Sequence, residues 1–440
     1  MPTVQTQKTG DALNNHSDEA LNYLSSLTRV GWKLGLNKIR TMLSELHNPH
    51  EKYFTIHIAG TNGKGSTSAM LESMLRAAGY RTGLYTSPHL VYVGERIRCD
   101  GKAISREELI SYITQLRPLI QKYKCTFFEA VTAIAFLYFA ERAVDVAVIE
   151  VGLGGRLDAT NVIHPLLSII TGIEIDHTKQ LGSDRTSIAF EKAGIIKPGV
   201  ICLTYSHYPE VNQVFQKVCK ENHAEHIQME RFIEVKNVEL TERLTTINLG
   251  VNGCFFPQLK LSLVGAHQIQ NAGLAVAAAT ILNKRFFPIK NEDIYHGLID
   301  VQWPGRLQTI SQRPKIVLDV GHNPDGILHA AKAIQGIFKF ERLIVLFGVC
   351  RDKDYPAMVA TLAPMADLFI ATKADSTRAL SPRSIAAVAS RYSDRIYQCP
   401  TSKQAIMYAL QLAQPNDLIL CIGSHYLVGE IISYFNQSMQ

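Results

Sequence analysis

The sequence predicts an α/β protein of two unequal domains, and three observations carry that prediction. Short β-rich runs alternate with helical segments from Tyr53 onward. A second alternating series begins after Trp303-Pro304-Gly305. At 440 residues the chain also exceeds what a single hydrophobic core usually organises. Alternation of this kind builds βαβ units on a parallel sheet, because each helix must cross back over the sheet to start the next strand. The boundary is placed near Asp300, giving a domain over 1–299 and a smaller one over 300–440.

In chain order, YFTIHIA reads as a strand and an amphipathic helix follows from Ser66. TGLYTS is the next strand. ERIRCDGKAI, centred on Asp100-Gly101, reads as a small hairpin, and Ser105-Arg106-Glu107-Glu108 has the capping residues of a helix start. A helix over Ala130–Glu141 leads to the buried strand VDVAVIEVG, and LLSIITGI forms another strand. From Phe232 to Val264 the pattern turns to alternating strands, which predicts a smaller antiparallel section before a helix over His267–Leu282. The second series runs KIVLDV, a helix after Asn323-Pro324-Asp325, LIVLFGV, a helix near Tyr355, DLFIAT, a helix after Ser381-Pro382, and DLILCIGS.

Composition excludes several classes. With 46% hydrophobic and 19% charged residues, the chain is an ordinary globular one. The net charge of +6 suits anionic small ligands, yet no dense basic tail or stripe suggests nucleic acid. The eight cysteines are scattered without a CxxC pair, which argues against a zinc module or a disulfide framework and for reduced thiols. No apolar signal segment opens the chain, and runs such as Ala130–Ala140 are too short to span a bilayer. The expectation is a cytoplasmic protein without a membrane partner.

Chemistry concentrates at predicted strand ends. The first strand runs into Gly60-Thr61-Asn62-Gly63-Lys64-Gly65-Ser66, where glycines let backbone amides wrap phosphate oxygens and a helix N-terminus adds favourable partial charge. Lys64 would meet the terminal phosphates and Ser66 would reach Mg²⁺; a plain glycine turn is the bland alternative. Ser87 is either a metal ligand or a turn cap before Pro88. Glu150 closes a buried strand, a costly position for a carboxylate unless it is paired or metal-bound. Asp176 and His177 end another strand. Lys192 alone reads as a solvated helix lysine. In the second domain, Arg306 would neutralise phosphate and Asp319 would hold a ribose hydroxyl or an amine, with a linker arginine and a capping turn as the alternatives.

Taken together, GTNGKGS, YTSPHL, ERI, FFEAVTA, VIEVGLGGRLDATN, DHTKQLG, KAGIIKPG, HQIQNA, WPGRLQ, DVGHNPDG, DKDY and GSHYL, in this order, resemble the folylpolyglutamate synthase and dihydrofolate synthase family of the Mur ligase superfamily. The likeness runs from about Leu34 to the C-terminus. It implies a P-loop ATPase-like N-terminal domain, a Rossmann-like C-terminal domain, and an ATP-dependent amide ligase that joins L-glutamate to dihydropteroate and to reduced folates through an acyl phosphate.

It further implies that Gly60, Thr61, Asn62, Gly63, Lys64, Gly65 and Ser66 bind ATP phosphates, with Asn271, Arg306 and Asp319 also contacting the nucleotide. Ser66, Ser87 and Glu150 would serve one Mg²⁺, and Glu150, His177 and a carbamylated Lys192 a second. Leu34, Gly35, Leu36, Phe128, Glu129, Arg156, Leu157 and Asp158 would face the pterin or its carboxylate, and His322, Ser424 and Tyr426 the incoming glutamate. Lys64, Glu150, His177, Lys192 and His322 are the residues expected to carry the reaction.

Arg156 and the KLGL segment from Lys33 to Leu36 resemble the bifunctional bacterial enzymes, although Lys33 stands where an acidic residue is common. A folylpolyglutamate synthase alone is one alternative. A UDP-muramyl-peptide ligase is another, weakened because only about fifty residues precede Tyr53. The expected oligomeric state is a monomer.

Overall fold

Residues 19–27 and 35–438 are described by the structure, a computed structural model. Leu34, expected to face the pterin, and Lys33 lie outside them.

The first sheet comprises β1 (Phe54–Ala59), β2 (Thr82–Tyr85), β3 (Ile97–Cys99), β4 (Lys102–Ala103), β5 (Val146–Glu150), β6 (Leu167–Ile170), β7 (Ile201–Thr204) and β8 (His226–Gln228). Its spatial order is β4-β3-β2-β5-β1-β6-β7-β8. All pairings from β2 to β8 are parallel, and the β3–β4 hairpin adds an antiparallel edge, with Cys99 opposite Lys102. Strand β1 is thus central, flanked by β5 and β6, so their carboxyl ends meet where open α/β sheets hold ligands.

Side chains on these strands alternate between two cores, as a pleat requires. Val146 and Val148 join Ile56 and Ile58 on one face, while Ala147 and Ile149 point to the other. The helix Phe127–Glu141 fills that second face and begins at a capping box between Thr126 and Glu129. The helix Arg106–Tyr123 has the same device between Ser105 and Glu108.

One helix differs from its expected form. It starts at Lys64, not Ser66, and it is not amphipathic, because every residue from Gly65 to Leu75 is buried. The reason is its position, between the sheet on one side and the helices Ala266–Arg285 and Asn291–Asp300 on the other. The predicted antiparallel section is β9 (Ile233–Leu240), β10 (Thr245–Val251) and β11 (Cys254–Leu261), in the order β11-β10-β9. Ile247, Leu249, Phe256 and Leu259 carry its inner face into the same core as Met70 and Met74.

The second domain is built on β12 (Gln308–Gln312), β13 (Lys315–Asp319), β14 (Leu343–Phe347), β15 (Leu368–Ala371), β16 (Ile396–Gln398) and β17 (Leu418–Ile422), in the order β12-β13-β17-β14-β15-β16. Only β12 runs antiparallel to its neighbour. Val345 and Leu420 serve one core, Ile344 and Cys421 the other, so helices cover both faces. We propose the domain boundary near Asp300: Val301 is still part of the first core, and Leu307 is the first residue of the second.

Candidate active site

The loop after β1 is shaped by what packs on its glycines. Gly60 has φ +150° and Gly63 φ +85°. A Cβ on Gly60 would lie 1.7 Å from Thr171 Oγ1, and one on Gly63 2.2 Å from Asn271 Oδ1. Gly65, the residue that displaces the hydroxyl from the usual phosphate-loop position, has another cause. A Cβ there would sit 3.0 Å from Trp303 Cζ2, so the segment linking the domains packs directly on the loop. Backbone and hydroxyl groups complete the frame: Thr61 N donates to Gly172 O at 2.8 Å, and Thr171 Oγ1 donates to Asn62 O at 2.7 Å.

Within this frame Lys64 Nζ lies 4.0 Å from Glu150 Oε1. Both side chains are largely buried, and burial pushes both toward neutrality: the Lys64 pKa goes down, opposed by Glu150, and the Glu150 pKa goes up, opposed by Lys64. Glu150 Oε2 accepts from Ser87 N at 3.0 Å. Ser66, buried as the third residue of the helix, supplies a hydroxyl from the same loop.

Arg306 and Asp319 form the facing wall. Asp319 accepts from Leu307 N at 3.0 Å and Gly321 N at 2.7 Å, which leaves its carboxylate fixed at the end of β13. Arg306 Nε is buried without a hydrogen-bond partner among the described residues. An orphaned guanidinium nitrogen facing a phosphate loop fits a polyphosphate ligand. The cleft bordered by Ser87, Glu150, Trp303 and Arg306 encloses about 360 Å³, the size of a small-molecule site.

The two domains also touch beside the loop. Asn62 Nδ2 donates to Asp325 at 2.8 Å, and Asn323 Nδ2 donates back to Asn62 Oδ1 at 3.0 Å. Lys353 Nζ lies 2.6 Å from Asp176 Oδ1 and donates to His177 Nε2 at 3.3 Å. Burial favours the neutral acid at Asp176, but Lys353, His177 and His322 outweigh it and hold the carboxyl well below its ordinary range. Burial first, then Lys353, lowers the His177 pKa to about 4. The DKDY motif gave no reason to single out Lys353; only the fold brings it to Asp176.

Lys192 corrects its residue-level reading. It is buried rather than solvated, and Nζ donates to Gly60 O at 2.7 Å. Burial, with Lys64 adding repulsion, lowers its pKa to about 7. Among the described residues, no group of three or more His, Cys, Asp and Glu side chains is arranged for a metal ion. The oxygen donors at the loop are instead one carboxylate, Glu150, and the hydroxyls of Ser66 and Ser87, a set suited to a hard cation that keeps waters.

The residues expected around the acceptor and glutamate are placed as follows. Phe128 packs on Gly152 and lies 6.0 Å from the Tyr85 ring. Glu129 is buried and accepts from Thr126 N at 2.7 Å, so its carboxylate caps a helix. Asp158, also buried, accepts from Leu153 N and Thr160 N. Arg156 pairs with Glu191 at 2.8 Å. Gly35, Leu36 and Leu157 are partly buried. His322 Nδ1 meets Val320 O at 3.0 Å, and its ring lies 5.2 Å from that of His425. Ser424 Oγ accepts from Leu427 N at 3.1 Å, and Tyr426 is exposed.

Comparison with known proteins places this geometry. The Mur ligase middle domain matches residues 58–279, and the Mur ligase glutamate ligase domain matches residues 305–425. A dihydrofolate synthase/folylpolyglutamate synthase of Bacillus subtilis is 34% identical over 421 residues, covering 94% of this chain and 97% of its own. A folylpolyglutamate synthase of Mycobacterium tuberculosis complexed with ADP superposes with a TM-score of 0.88 at 31% identity, over 95% of this chain and 99% of that one. An Escherichia coli enzyme in complex with DHPP and ADP gives 0.85 at 28% identity, over 96% and 98%.

Proposed function

The chain belongs to the dihydrofolate synthase/folylpolyglutamate synthase family of Mur ligases, and from that premise we propose how its residues carry ATP-dependent glutamate ligation. ATP, a folate-type acceptor and L-glutamate are the substrates. The observation that carries the reading is the buried Lys64–Glu150 pair on the phosphate loop, 4.0 Å apart and faced by Arg306 with an unpartnered Nε. Two buried cations and a buried acid are individually costly, and a phosphate chain with its counter-ion offsets all three.

Making an amide from a carboxylate requires a leaving group on the carboxyl carbon. Lys64 and the amides of Gly60–Ser66 would hold the β- and γ-phosphates and neutralise charge as the γ-phosphoryl moves to the acceptor carboxylate. Arg306 would clamp the phosphates from the second domain, Asn271 would border them beside Gly63, and Asp319 would fix the ribose. Glutamate's amine then attacks the acyl phosphate, the tetrahedral intermediate collapses, and phosphate departs as the amide forms. His322, Ser424 and Tyr426 are the proposed glutamate contacts, and Phe128, Glu129 and Arg156–Asp158 the proposed acceptor contacts.

Ser66, Ser87 and Glu150 would hold Mg²⁺, which when bound would neutralise negative charge on the phosphates. A second ion at Glu150, His177 and Lys192 asks that Lys353 release His177 and that Lys192 carry a carbamate. Lys192 suits that modification because its depressed pKa supplies the neutral amine that reacts with carbon dioxide. Carbon NMR with labelled bicarbonate reads the carbamate directly, and its absence removes Lys192 as a ligand.

Both dihydropteroate and reduced folates are proposed acceptors, with the protein acting as a cytoplasmic monomer. A folylpolyglutamate synthase restricted to reduced folates is the second reading, favoured by the name of the Mycobacterium tuberculosis structure. Purified protein with Mg²⁺ and ATP is assayed for ADP with glutamate plus dihydropteroate, tetrahydrofolate or a UDP-muramyl acceptor. ADP formation with both pterins supports the dual activity; with tetrahydrofolate alone it supports the narrower one. ADP release independent of any pterin overturns the assignment, and light scattering decides the monomer.

A further inference from the structure

The ERI motif has no role so far, and its arginine sits in an unusual place. Arg96 is 8% exposed, on the turn between the Ser87–Tyr92 segment and β3. Its Nε donates to His89 Nδ1 at 2.9 Å, and the guanidinium lies 5.2 Å from the Phe127 ring centroid. Because Arg96 Nε donates to it, His89 Nδ1 is an unprotonated acceptor, and an imidazole offers Arg96 no countercharge.

The neighbouring carboxylates are already engaged. Glu95 accepts from the amides of Leu90, Val91 and Tyr92, at 2.8, 3.0 and 2.8 Å. Glu150 takes Ser87 N and faces Lys64. No ion pair joins Arg96 to any carboxylate among the described residues. A guanidinium this buried, with only Nε hydrogen-bonded to a described side chain, is costly unless an anion meets its terminal nitrogens. Its hydrogen-bond partner His89 lies on the segment after β2 whose Ser87 N donates to Glu150, so the guanidinium stands beside the strand end that carries Glu150.

We infer that Arg96 anchors a substrate carboxylate, its planar fork presented toward the reaction centre by the His89 hydrogen bond and the Phe127 ring. A guanidinium fork matches a carboxylate with two parallel hydrogen bonds, which an ammonium cannot reproduce. The carboxylate comes from one of two sources, the acceptor or glutamate. This inference rests on the ligase reading above.

The test uses full-length Arg96→Gln and Arg96→Lys. ADP release is measured with acceptor varied at saturating glutamate, with glutamate varied at saturating acceptor, and with ATP varied. The expected result for Arg96→Gln is a rise of about tenfold or more in KM for one carboxylate substrate, with KM for ATP and ADP affinity unchanged. Arg96→Lys should recover only part of the loss. A rise confined to the acceptor arm assigns the acceptor's carboxylate, and one confined to the glutamate arm assigns glutamate's.

Unmoved KM values for both carboxylate substrates overturn the inference, as does a uniform loss across all three substrates accompanied by a lower Tm, which marks a structural arginine. If Arg96→Gln does not fold, the same selective split is required of Arg96→Lys. A wild-type protein that releases no ADP with any acceptor defeats the ligase reading instead. Calorimetric titration of tetrahydrofolate and glutamate then decides the anchor: weaker binding of one of them to the variant supports it, and equal affinities overturn it.

Discussion

Two buried ion pairs stand beside the same loop, and they are built differently. Lys64 and Glu150, both from the first domain, stay 4.0 Å apart and are each pushed toward neutrality. Asp176 and Lys353, one from each domain, close to 2.6 Å, and the carboxyl is held firmly charged. The first pair is open at a strand end and ready for charges that a ligand brings. The second spends its electrostatics on holding the domains together. Position decides this: Glu150 is fixed by Ser87 N at a rigid strand end, whereas Lys353 sits on a loop of the other domain and can approach its partner.

The largest expected effect breaks the open pair. Lys64→Ala and Glu150→Ala should each lower kcat by about 10²–10³-fold with a smaller change in stability, because the two charges stand 4.0 Å apart. Near-normal turnover from either would defeat the phosphate-and-metal assignment. Breaking the closed pair should do the reverse. Lys353→Met, which takes from the buried Asp176 its nearest cation, should destabilise the fold by about 3 kcal/mol in denaturant titration. An unchanged midpoint would show that the contact contributes nothing.

A third prediction sharpens the comparison by pH. His57, on β1 just before the loop, is fully buried with its pKa lowered to about 3. Its stabilising contribution is fully present above the ordinary histidine value of about 6.5 and is lost as pH falls toward 3, because the unfolded chain takes up the proton first. Wild type should therefore lose up to about 1.4 kcal/mol more per pH unit in that window than His57→Gln. Parallel curves would refute it. The smallest effect is expected where Glu242 on the β9–β10 turn meets Lys315 at the start of β13, at 2.6 Å. Glu242→Gln should shift stability by less than about 1 kcal/mol, the scale of a partly exposed pair.

The strand ends bearing the phosphate loop, Glu150 and Asp319 were legible because apolar runs that stop at a charged or glycine-rich cluster mark both a sheet and its working edge. Edge elements were not: β12 and β16, QTISQ and IYQ, are short and polar, without the alternation that identifies a half-buried strand. The helix Pro209–Glu221 does carry a signal, in Val211, Phe215, Val218 and Cys219 along one face. The Asp176–Lys353 contact had none. Its partners are 177 positions apart, and neither periodicity nor composition reports a pairing across domains. The burial of Lys192 is hidden for a related reason, since helical periodicity does not reveal a lysine that turns inward against a loop carbonyl.

Trp303 adds a consequence about how the chain can be rearranged. The strip joining the domains carries Trp303 onto Gly65 and Arg306 into the cleft, so the tether is itself a wall of the reaction chamber. In many two-domain proteins the connecting strip can be cut, lengthened or replaced with spacer. Here a cut between 302 and 306 would open the chamber, while the exposed β10–β11 turn at Asn252-Gly253 offers new termini that leave it closed. The joint of this protein cannot be treated as packaging.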